Sequence, residues 1–434
     1  MKTLFNFIFI LFTSLALLSC GTTDPQIPVE AKPTLTLAPE DTSCTEVWVR
    51  LTTNDLTLPA ELTLKQYNPT GDSISQILLL NTQDTLLYID SLLPNQTYKL
   101  QVSSVKYQVE SKKLSITTMD TTSHNFTFTT WTFGEHSSSI LNDVAIINEN
   151  DIWAVGEIYM NDSLGNPDLK AYNAVHWNGT NWELKRIMFY TFCPQGSGEG
   201  SYPAQSIFAI DDQDVLISSG SQIAYLSNGV QIKKECVSVS VNKIWSISVN
   251  DIYSVGFGGE IARYNGINWT NLESGTSLDI NDIWGYSNNI SEPFILCAAS
   301  NFGTNDQKKL LRIQNTIVDT MNWSPQRDLF TVWFKSKYKI YAGGSGVFVN
   351  SGKGWKEEKN LPHNFTFRIR GNNYNDLYAT GGLGYFAHFN GYSWQTLNEI
   401  SLQGGDYKGL TTKGKTCCVV GFVGAQAVIS LTNK

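Results

Sequence analysis

Residues 241–269 have the sequence VNKIWSISVNDIYSVGFGGEIARYNGINW, and this stretch decides the fold. Closely similar phrases return at 281–297, 330–355 and 367–394, and earlier at 142–182. A unit of about 40 residues that recurs in this way is one supersecondary module, which cannot bury its own apolar face and stacks beside copies of itself. The sequence therefore predicts a repeat architecture for the carboxy-terminal part of the chain.

Each repeat contains four strand-like runs, which are clearest at Lys243–Ser248, Asp251–Val255, Glu260–Tyr264 and from Trp269 onward. No repeat has the 3.6-residue period of a helix, and four-stranded units of this length are typical of a β-propeller. The second strand of each unit is predicted to begin at Asp151, Asp214, Asp251, Phe294, Lys339, Asp376 and Thr416. We therefore expect an all-β protein whose residues 126–434 form a seven-bladed β-propeller.

The seventh unit ends without a fourth strand. Thr130-Trp131-Thr132-Phe133 matches Asn268-Trp269-Thr270-Asn271 of the third unit, which is a fourth strand. Residues 128–134 are therefore predicted to complete the last blade and to cover its open edge.

Tight-turn signals and long insertions fall at different places in the repeat. Asn-Gly pairs begin at 178, 228, 265 and 390, between the third and fourth strands, and Asn-Asp pairs begin at 150, 250 and 375, between the first and second. The insertions Glu157–Lys170, Met188–Gln205 and Ala299–Lys308 lie between second and third strands or between units. Antiparallel order puts the turns on one face of the ring and the insertions on the other, where binding loops are expected.

The amino terminus has the pattern of a processing signal. Lys2 precedes an apolar stretch, Leu4–Leu18, which is shorter than the roughly 20 residues that span a bilayer. Leu17-Leu18-Ser19-Cys20 resembles a bacterial lipobox, which implies a signal peptide at 1–19, acylation of Cys20 and a lipid-anchored mature chain. Gly21 resembles the pattern of outer-membrane lipoproteins, and residues 20–32 are predicted to be a tether. The alternative is an ordinary signal peptide.

Residues 33–120 contain about seven short β-rich runs, the number found in an immunoglobulin-like sandwich. The segment 92–98, LLPNQTY, resembles the corner of fibronectin type III domains, in which the tyrosine hydroxyl bonds to the backbone just upstream. Trp48 is then expected to be the core aromatic residue. The alternative is a β-sandwich of another lineage.

Composition and motifs argue against several functions. A net charge of −8 without basic runs argues against a nucleic-acid partner. The sequence has no triad motif, phosphate-binding glycine loop, HExxH or sialidase-type box, so we expect no cofactor and no metal, and we lean against an enzyme. His176 and His388 share the repeat position of Arg263 and are predicted to be solvated strand residues.

Cysteine spacing gives no metal motif. Cys193 and Cys236 are a possible disulfide because both lie near the junction of the first two units, and Cys417-Cys418 are predicted to fill the core.

Two neighbouring insertions supply the candidate ligand-binding residues, which are aromatic or acidic: Tyr159, Asp162, Asp168, Tyr172, Glu199 and Tyr202. Such a rim could bind a glycan or a peptide strand, and the alternative is that these are ordinary loop residues. The periodic tryptophans are predicted to pack between blades rather than to stack on sugars.

Five motifs spread over nearly the whole chain carry a resemblance to a known group of proteins. They are the lipobox, SCTEVW at 43–48, DTLLYIDSLLPN at 84–95, NDIWAVG at 150–156 and HWNGTNW at 176–182. The chain resembles predicted lipoproteins of the Bacteroidota and Ignavibacteria, which are often catalogued as glucosyl transferases. The resemblance and the residues together predict a monomeric, non-catalytic outer-membrane lipoprotein, facing the periplasm or the surface, that binds a glycan or an envelope protein. The alternatives are a carbohydrate-active enzyme and a structural envelope protein.

Overall fold

The computed structural model describes residues 32–193, 198–287, 292–301 and 307–433. The predicted signal peptide, Cys20 and nearly all of the tether lie outside these ranges. Within them the chain is almost entirely β-structure, and the helices are three single 3₁₀ turns at Phe257–Gly259, Gly382–Gly384 and Asn398–Ile400. The predicted all-β class is confirmed. No described helix has the length and apolarity needed to cross a bilayer.

Eight strands form a pair of packed sheets at the amino-terminal end. They are β1 (Thr34–Thr42), β2 (Val47–Asn54), β3 (Ala60–Tyr67), β4 (Ser73–Leu80), β5 (Asp84–Ile89), β6 (Thr97–Ser104), β7 (Val109–Glu110) and β8 (Leu114–Thr117). One sheet has the order β1-β2-β5, and the other has the order β4-β3-β6-β7 with β8 also paired to β6. We call this unit the sandwich. At its corner the Leu93 N–H donates to the Tyr98 hydroxyl at 2.9 Å, which is the contact that the 92–98 motif predicts.

Trp48 is not part of the sandwich core, and the prediction that it fills this core is wrong. Side chains alternate along a strand, so Val47, Val49 and Leu51 of β2 point into the sandwich core and Trp48 points to the opposite face. Trp48 is nevertheless buried, because the repeat region covers it.

Seven four-stranded antiparallel sheets occupy the remainder of the described chain. The strand β9 (Thr127–Phe133) precedes sheet 1, which consists of β10 (Ile140–Asn148), β11 (Asp151–Ile158), β12 (Tyr172–Trp177) and β13 (Trp182–Lys185). A hairpin of β14 (Phe189–Tyr190) and β15 (Glu199–Gly200) leads to sheet 2, which consists of β16 (Ser206–Ala209), β17 (Asp214–Ser219), β18 (Gln222–Ser227) and β19 (Val230–Cys236). Sheet 3 consists of β20 (Val241–Ser248), β21 (Asp251–Gly256), β22 (Ile261–Tyr264) and β23 (Trp269–Leu272).

The other four sheets follow the same order. Sheet 4 consists of β24 (Ile280–Tyr286), β25 (Phe294–Ser300), β26 (Lys308–Gln314) and β27 (Ile317–Met321). Sheet 5 consists of β28 (Leu329–Ser336), β29 (Lys339–Gly344), β30 (Gly346–Asn350) and β31 (Trp355–Glu357). Sheet 6 consists of β32 (Thr366–Asn373), β33 (Asp376–Gly381), β34 (Phe386–Phe389) and β35 (Trp394–Thr396). Sheet 7 consists of β36 (Gly405–Lys413), β37 (Thr416–Val423), β38 (Gln426–Asn433) and β9.

The sheets are arranged in a closed cycle. The first strands of successive sheets contact one another in order, and β36 of sheet 7 contacts β10 of sheet 1. Strand β9 pairs with β38 along its whole length, from Phe133 opposite Ala427 to Thr127 opposite Asn433. The second strand of every sheet begins at the residue that the repeat pattern identifies.

Two tryptophans pack between neighbouring sheets, and for Trp245 the repeat pattern predicts this contact. Trp245 of sheet 3 lies against Gly285 of sheet 4, where a Cβ atom would come within 2.3 Å of the indole. Trp333 of sheet 5 makes the equivalent contact with Gly371 of sheet 6, at 3.1 Å from the position of such a Cβ. Each indole therefore fills a space that a glycine leaves open on the next sheet.

In three sheets the aspartate that begins the second strand contacts a basic side chain of the third strand. The pairs are His176 with Asp151 (2.8 Å), Arg263 with Asp251 (2.8 Å) and His388 with Asp376 (3.0 Å). His388 is fully buried, and the His176 ring stacks on Trp153 with centroids 4.2 Å apart. The prediction that His388 is solvated is wrong because this side chain is fully buried, whereas His176 remains partly exposed.

The sandwich contacts the turns of sheets 5 and 6. Lys339 at the start of β29 forms an ion pair with Glu46, and the Tyr374 hydroxyl donates to Asp41 at 3.1 Å. The Asn375 amide donates to the Asp120 carbonyl at 2.8 Å. We call this side of the ring the turn face. The opposite side, where the predicted insertions lie, is called the loop face.

Candidate functional site

A β-bulge occurs at the same place in six of the seven first strands. The bulged residues are Asn142, Asn242, Asn281, Phe330, Phe367 and Lys408, and Gln205 holds the equivalent place just before β16. A bulge leaves one residue out of the ladder and redirects its side chain. Because every first strand lies next to the axis of the ring, the bulged side chains come together near this axis. They lie at the start of the first strands, which is the end that faces the loop face.

These residues surround a cavity of about 380 Å³ that we call the bowl. Its lining consists of Ile140, Asn142, Gln205, Asn242, Phe257, Asn281, Phe330, Arg368 and Lys408. Five of the seven sheets contribute the amide, aromatic or basic side chain of their bulge, and sheet 2 contributes Gln205 in place of a bulge. Sheet 6 contributes Arg368, the residue that follows its bulge, and its Phe367 packs edge-to-face on Phe330.

Amide side chains form one half of the bowl. The amide nitrogen of Asn142 donates to the Ala204 carbonyl at 2.9 Å, that of Asn242 to the Ile280 carbonyl at 3.2 Å, and that of Asn281 to the Ser300 carbonyl at 2.7 Å. Because backbone carbonyls fix each amide group, its orientation is set before any ligand arrives. The three amide oxygens accept no hydrogen bond from the described residues, so they can receive one from a ligand hydroxyl.

Phe330, Arg368 and Lys408 form the other half, and two further aromatic rings pack on Phe330. Phe330, Phe365 and Phe367 have centroids between 5.2 and 5.5 Å apart, two of the three contacts being edge-to-face. The Lys408 ammonium lies 4.0 Å from the centre of the Phe367 ring, a cation–π contact, and 3.7 Å from the Asp406 carboxylate. Burial lowers the pKa of Lys408.

A belt of polar side chains closes the floor of the bowl. It comprises the residues that directly follow the bulge position: Asp143, Ser206, Lys243, Asp282, Thr331 and Arg368. Four of these side chains accept a hydrogen bond from a backbone N–H in the first strand of the next sheet. The bonds run from Ile207 to Asp143 (2.9 Å), from Ile244 to Ser206 (3.2 Å), from Val332 to Asp282 (3.1 Å) and from Ile369 to Thr331 (3.2 Å). The belt thus joins neighbouring sheets at the centre of the ring.

The charges of the belt are buried and paired. Lys243 forms an ion pair with Asp143, and Asp282 binds Arg368 at 2.9 Å and Arg370 at 2.7 Å. Burial lowers the pKa of Lys243 to about 8, against the attraction of Asp143. Burial opposes ionisation of Asp282, but the guanidinium groups of Arg370 and Arg368 hold its pKa well below the usual range. Two carboxylates thus face three cationic groups, which leaves one formal positive charge under the bowl.

A second, mainly apolar chamber of about 180 Å³ lies on the other side of the belt. Ile146, Ile207, Trp245 and Trp284 contribute to its lining, together with Lys243 and Arg370. The belt therefore separates two spaces along the axis, and the bowl has a charged floor.

The residues predicted from the insertions lie outside the bowl. Asp162 accepts the N–H groups of Leu164 and Asn166, at 2.8 and 2.9 Å, and so stabilises its own loop. Asp168 pairs with Arg186, whose guanidinium lies 3.8 Å from the centre of the Tyr172 ring. The Lys170 N–H and Arg186 lower the pKa of Asp168.

The remaining predicted residues also have partners within the chain. Tyr159 donates to Glu157, and this hydrogen bond raises the pKa of Tyr159 to about 12. Glu199 pairs with Lys234 at 2.6 Å, and the Tyr202 hydroxyl donates to Thr191 at 3.0 Å. The structure brings Asp168 and Tyr172 together through Arg186, but it does not gather the six residues into one site.

The described cysteines include one disulfide pair and several buried thiols. Cys193 and Cys236 form a disulfide that ties the segment after β14 to the end of β19. Cys417 and Cys418 are fully buried in sheet 7, as predicted. Among the described residues no group of three or more His, Cys, Asp or Glu side chains is arranged to hold a metal ion.

The bowl was missed in the sequence, although a signal for it is present. An asparagine followed by a charged residue recurs at the start of three first strands. The pairs are Asn142-Asp143, Asn242-Lys243 and Asn281-Asp282. Polar residues at this point of an otherwise apolar strand indicate a buried polar site near the axis.

Comparison with known proteins gives little further information. No family model matches the chain, and no curated protein matches it. A solved structure, described as the extracellular domain of a candidate one-component system from B. thetaiotaomicron, superposes with a TM-score of 0.49 at 13% identity. The match covers 69% of this chain and 39% of the other.

Proposed function

We propose that this chain is a lipid-anchored extracytoplasmic protein whose bowl binds a glycan without catalysing a reaction on it. In this proposal Cys20 carries the acyl anchor in the bacterial outer membrane. The sandwich is a fibronectin type III-like spacer, and residues 126–434 are a seven-bladed β-propeller. The closed cycle of four-stranded sheets and the Tyr98 corner support the two fold assignments.

The observation that carries the proposal is the composition of the bowl. Sugars combine hydroxyl groups, which need fixed hydrogen-bond partners, with apolar C–H faces, which pack on aromatic rings. Pre-oriented amides from Asn142, Asn242 and Asn281 meet the first need, and Phe330 meets the second. The sandwich occupies the turn face, so the loop face is available to a ligand.

Binding without catalysis is supported by the types of side chain in the lining. Most glycosidases place two carboxyl groups about 5–9.5 Å apart across the scissile bond. The described lining of the bowl consists of amides, aromatic and aliphatic groups and two cations. The carboxylates of the rim, Asp168 and Glu199, each have a basic partner.

A glycan array probed with the full chain in detergent tests this proposal. We expect binding that Phe330→Ala or Gln205→Ala weakens by about tenfold, because each change removes one bowl contact. Asp168→Ala and Glu199→Ala are matched controls at the rim. Loss of binding in the rim variants alone would favour the rim as the site, and turnover of a bound glycan would favour an enzyme.

The anchor is tested separately. A Cys20→Ala variant is expected to leave the membrane fraction, since a single thiol carries the acyl group in this proposal. Continued fractionation of that variant with the membrane would contradict the lipid anchor.

A further inference from the structure

We infer that the glycan bound by the bowl is acidic and that its carboxylate lies between Lys408 and Arg368. This inference rests on the proposed function and names the ligand class. It starts from a contrast in charge: the chain as a whole carries a net charge of −8, whereas the only charged residues in the described lining are these two cations.

Arg368 has hydrogen-bonding capacity that the protein does not use. Its side chain is more than nine-tenths buried, and Nη1 contacts Asp282 at 2.9 Å and the Asn281 carbonyl at 3.4 Å. Nε is enclosed by protein with no hydrogen-bond partner, and Nη2, which is not enclosed, makes no hydrogen bond to the described residues either. A guanidinium has five N–H donors in a planar fork that matches a carboxylate.

Lys408 provides the second cation from the neighbouring sheet. Asp406 approaches it only to 3.7 Å, and the Phe367 ring holds the ammonium from one side. Burial favours loss of its proton, as the lowered pKa shows, so a nearby anion would stabilise the charged form.

The belt below does not cancel this charge. With the lining and the belt counted together, four cations (Lys243, Arg368, Arg370 and Lys408) face three carboxylates (Asp143, Asp282 and Asp406), and the belt groups are buried, where water screens them little. A neutral sugar would leave this excess positive charge uncompensated. A uronic or sialic acid would neutralise it while its ring packs on Phe330 and its hydroxyls bond to the amide half.

The test is an array of oligo-uronates and sialylated oligosaccharides printed beside their methyl esters and neutral counterparts. The ester keeps the ring and the hydroxyls and removes only the charge. We expect the full chain to bind at least one acid about tenfold more tightly than its ester, which corresponds to one charge-assisted contact. This preference should fall as salt increases.

Variants at Lys408 locate the charge. Lys408→Met is expected to reduce the preference for the acid, because Arg368 alone then faces the carboxylate, and Lys408→Arg to keep it; thermal melting checks that each variant is folded. Equal binding of acids and esters by the unmodified chain would overturn this inference and leave glycan binding intact. Absence of binding to any glycan would overturn the proposed function as well.

Discussion

The indole N–H of Trp48 donates to the carbonyl of Ser351 at 3.1 Å, across 303 residues of sequence. Trp48 belongs to β2 of the sandwich, and Ser351 lies in the turn after β30 of sheet 5. This contact, with the ion pair between Glu46 and Lys339, fixes the sandwich on the turn face. The bowl opens on the other side, so a chain anchored through the sandwich end can present the bowl away from its attachment point.

Replacement of Trp48 should separate the two units. Removal of a buried tryptophan typically costs about 3–5 kcal/mol. For Trp48→Ala we expect this loss to weaken the contact between the sandwich and sheet 5. The sandwich and the ring should then unfold in two separate calorimetric transitions instead of one. Val49→Ala is the matched control, because Val49 faces the sandwich core. If Trp48→Ala kept a single transition, the sandwich would not depend on this contact.

The buried pair of Asp143 and Lys243 predicts strong coupling between two variants. Removal of one partner leaves an uncompensated buried charge and typically costs about 3–5 kcal/mol, whereas removal of both is far less costly. Urea denaturation of Asp143→Asn, Lys243→Met and the double variant measures this. The double variant should be more stable than the sum of the single changes predicts. Additive losses would show that the two groups do not interact.

The pH dependence of stability should reveal Lys243. Its pKa falls from an ordinary value of 10.5 to about 8 on folding. Between these values the unfolded chain binds more protons than the folded chain, so this group makes the free energy of unfolding increase with pH, by at most about 1.4 kcal/mol per unit. Denaturation at pH 8, 9 and 10 should show the unmodified chain gaining stability relative to the Asp143→Asn/Lys243→Met variant. A constant or opposite difference would contradict the assigned shift.

The strand β9 should be required for a cooperative ring. Alternate residues of an antiparallel strand donate to the partner, so Thr129→Pro/Thr130→Pro must remove at least one hydrogen bond to β38. We expect earlier and broader melting of the repeat region. Thr129→Ala/Thr130→Ala, which removes the hydroxyl contact of Thr130 with Ser430 but keeps the backbone donors, should melt nearly as the unmodified chain does. Equal melting of both double variants would show that the ring does not need this strand.

The repeat positions could be predicted because they depend on local chemistry. Asp151, Asp251 and Asp376 follow asparagine in a tight turn, and this signal does not need distant contacts. The pattern of aromatic residues likewise identified Trp245, which packs on Gly285, but not Trp333, which packs on Gly371.

The contacts that join distant parts of the chain could not be predicted in this way. Trp48 has the hydrophobicity of a core residue, and only the position of sheet 5 shows that it faces another unit. The rings of Phe126 and Tyr378 pack on the buried His388, and a single repeat gives no sign of such a contact with Phe126. The bowl is formed by one residue from each of several sheets, so no continuous segment contains it.

A crystal structure of the full chain with the acidic glycan that binds best on the array tests the central claim most directly. The account predicts sugar density in the bowl, with a ring against Phe330 and a carboxylate within hydrogen-bond distance of Arg368 and Lys408. Density at the rim beside Arg186 or Lys234, with an empty bowl, would contradict it.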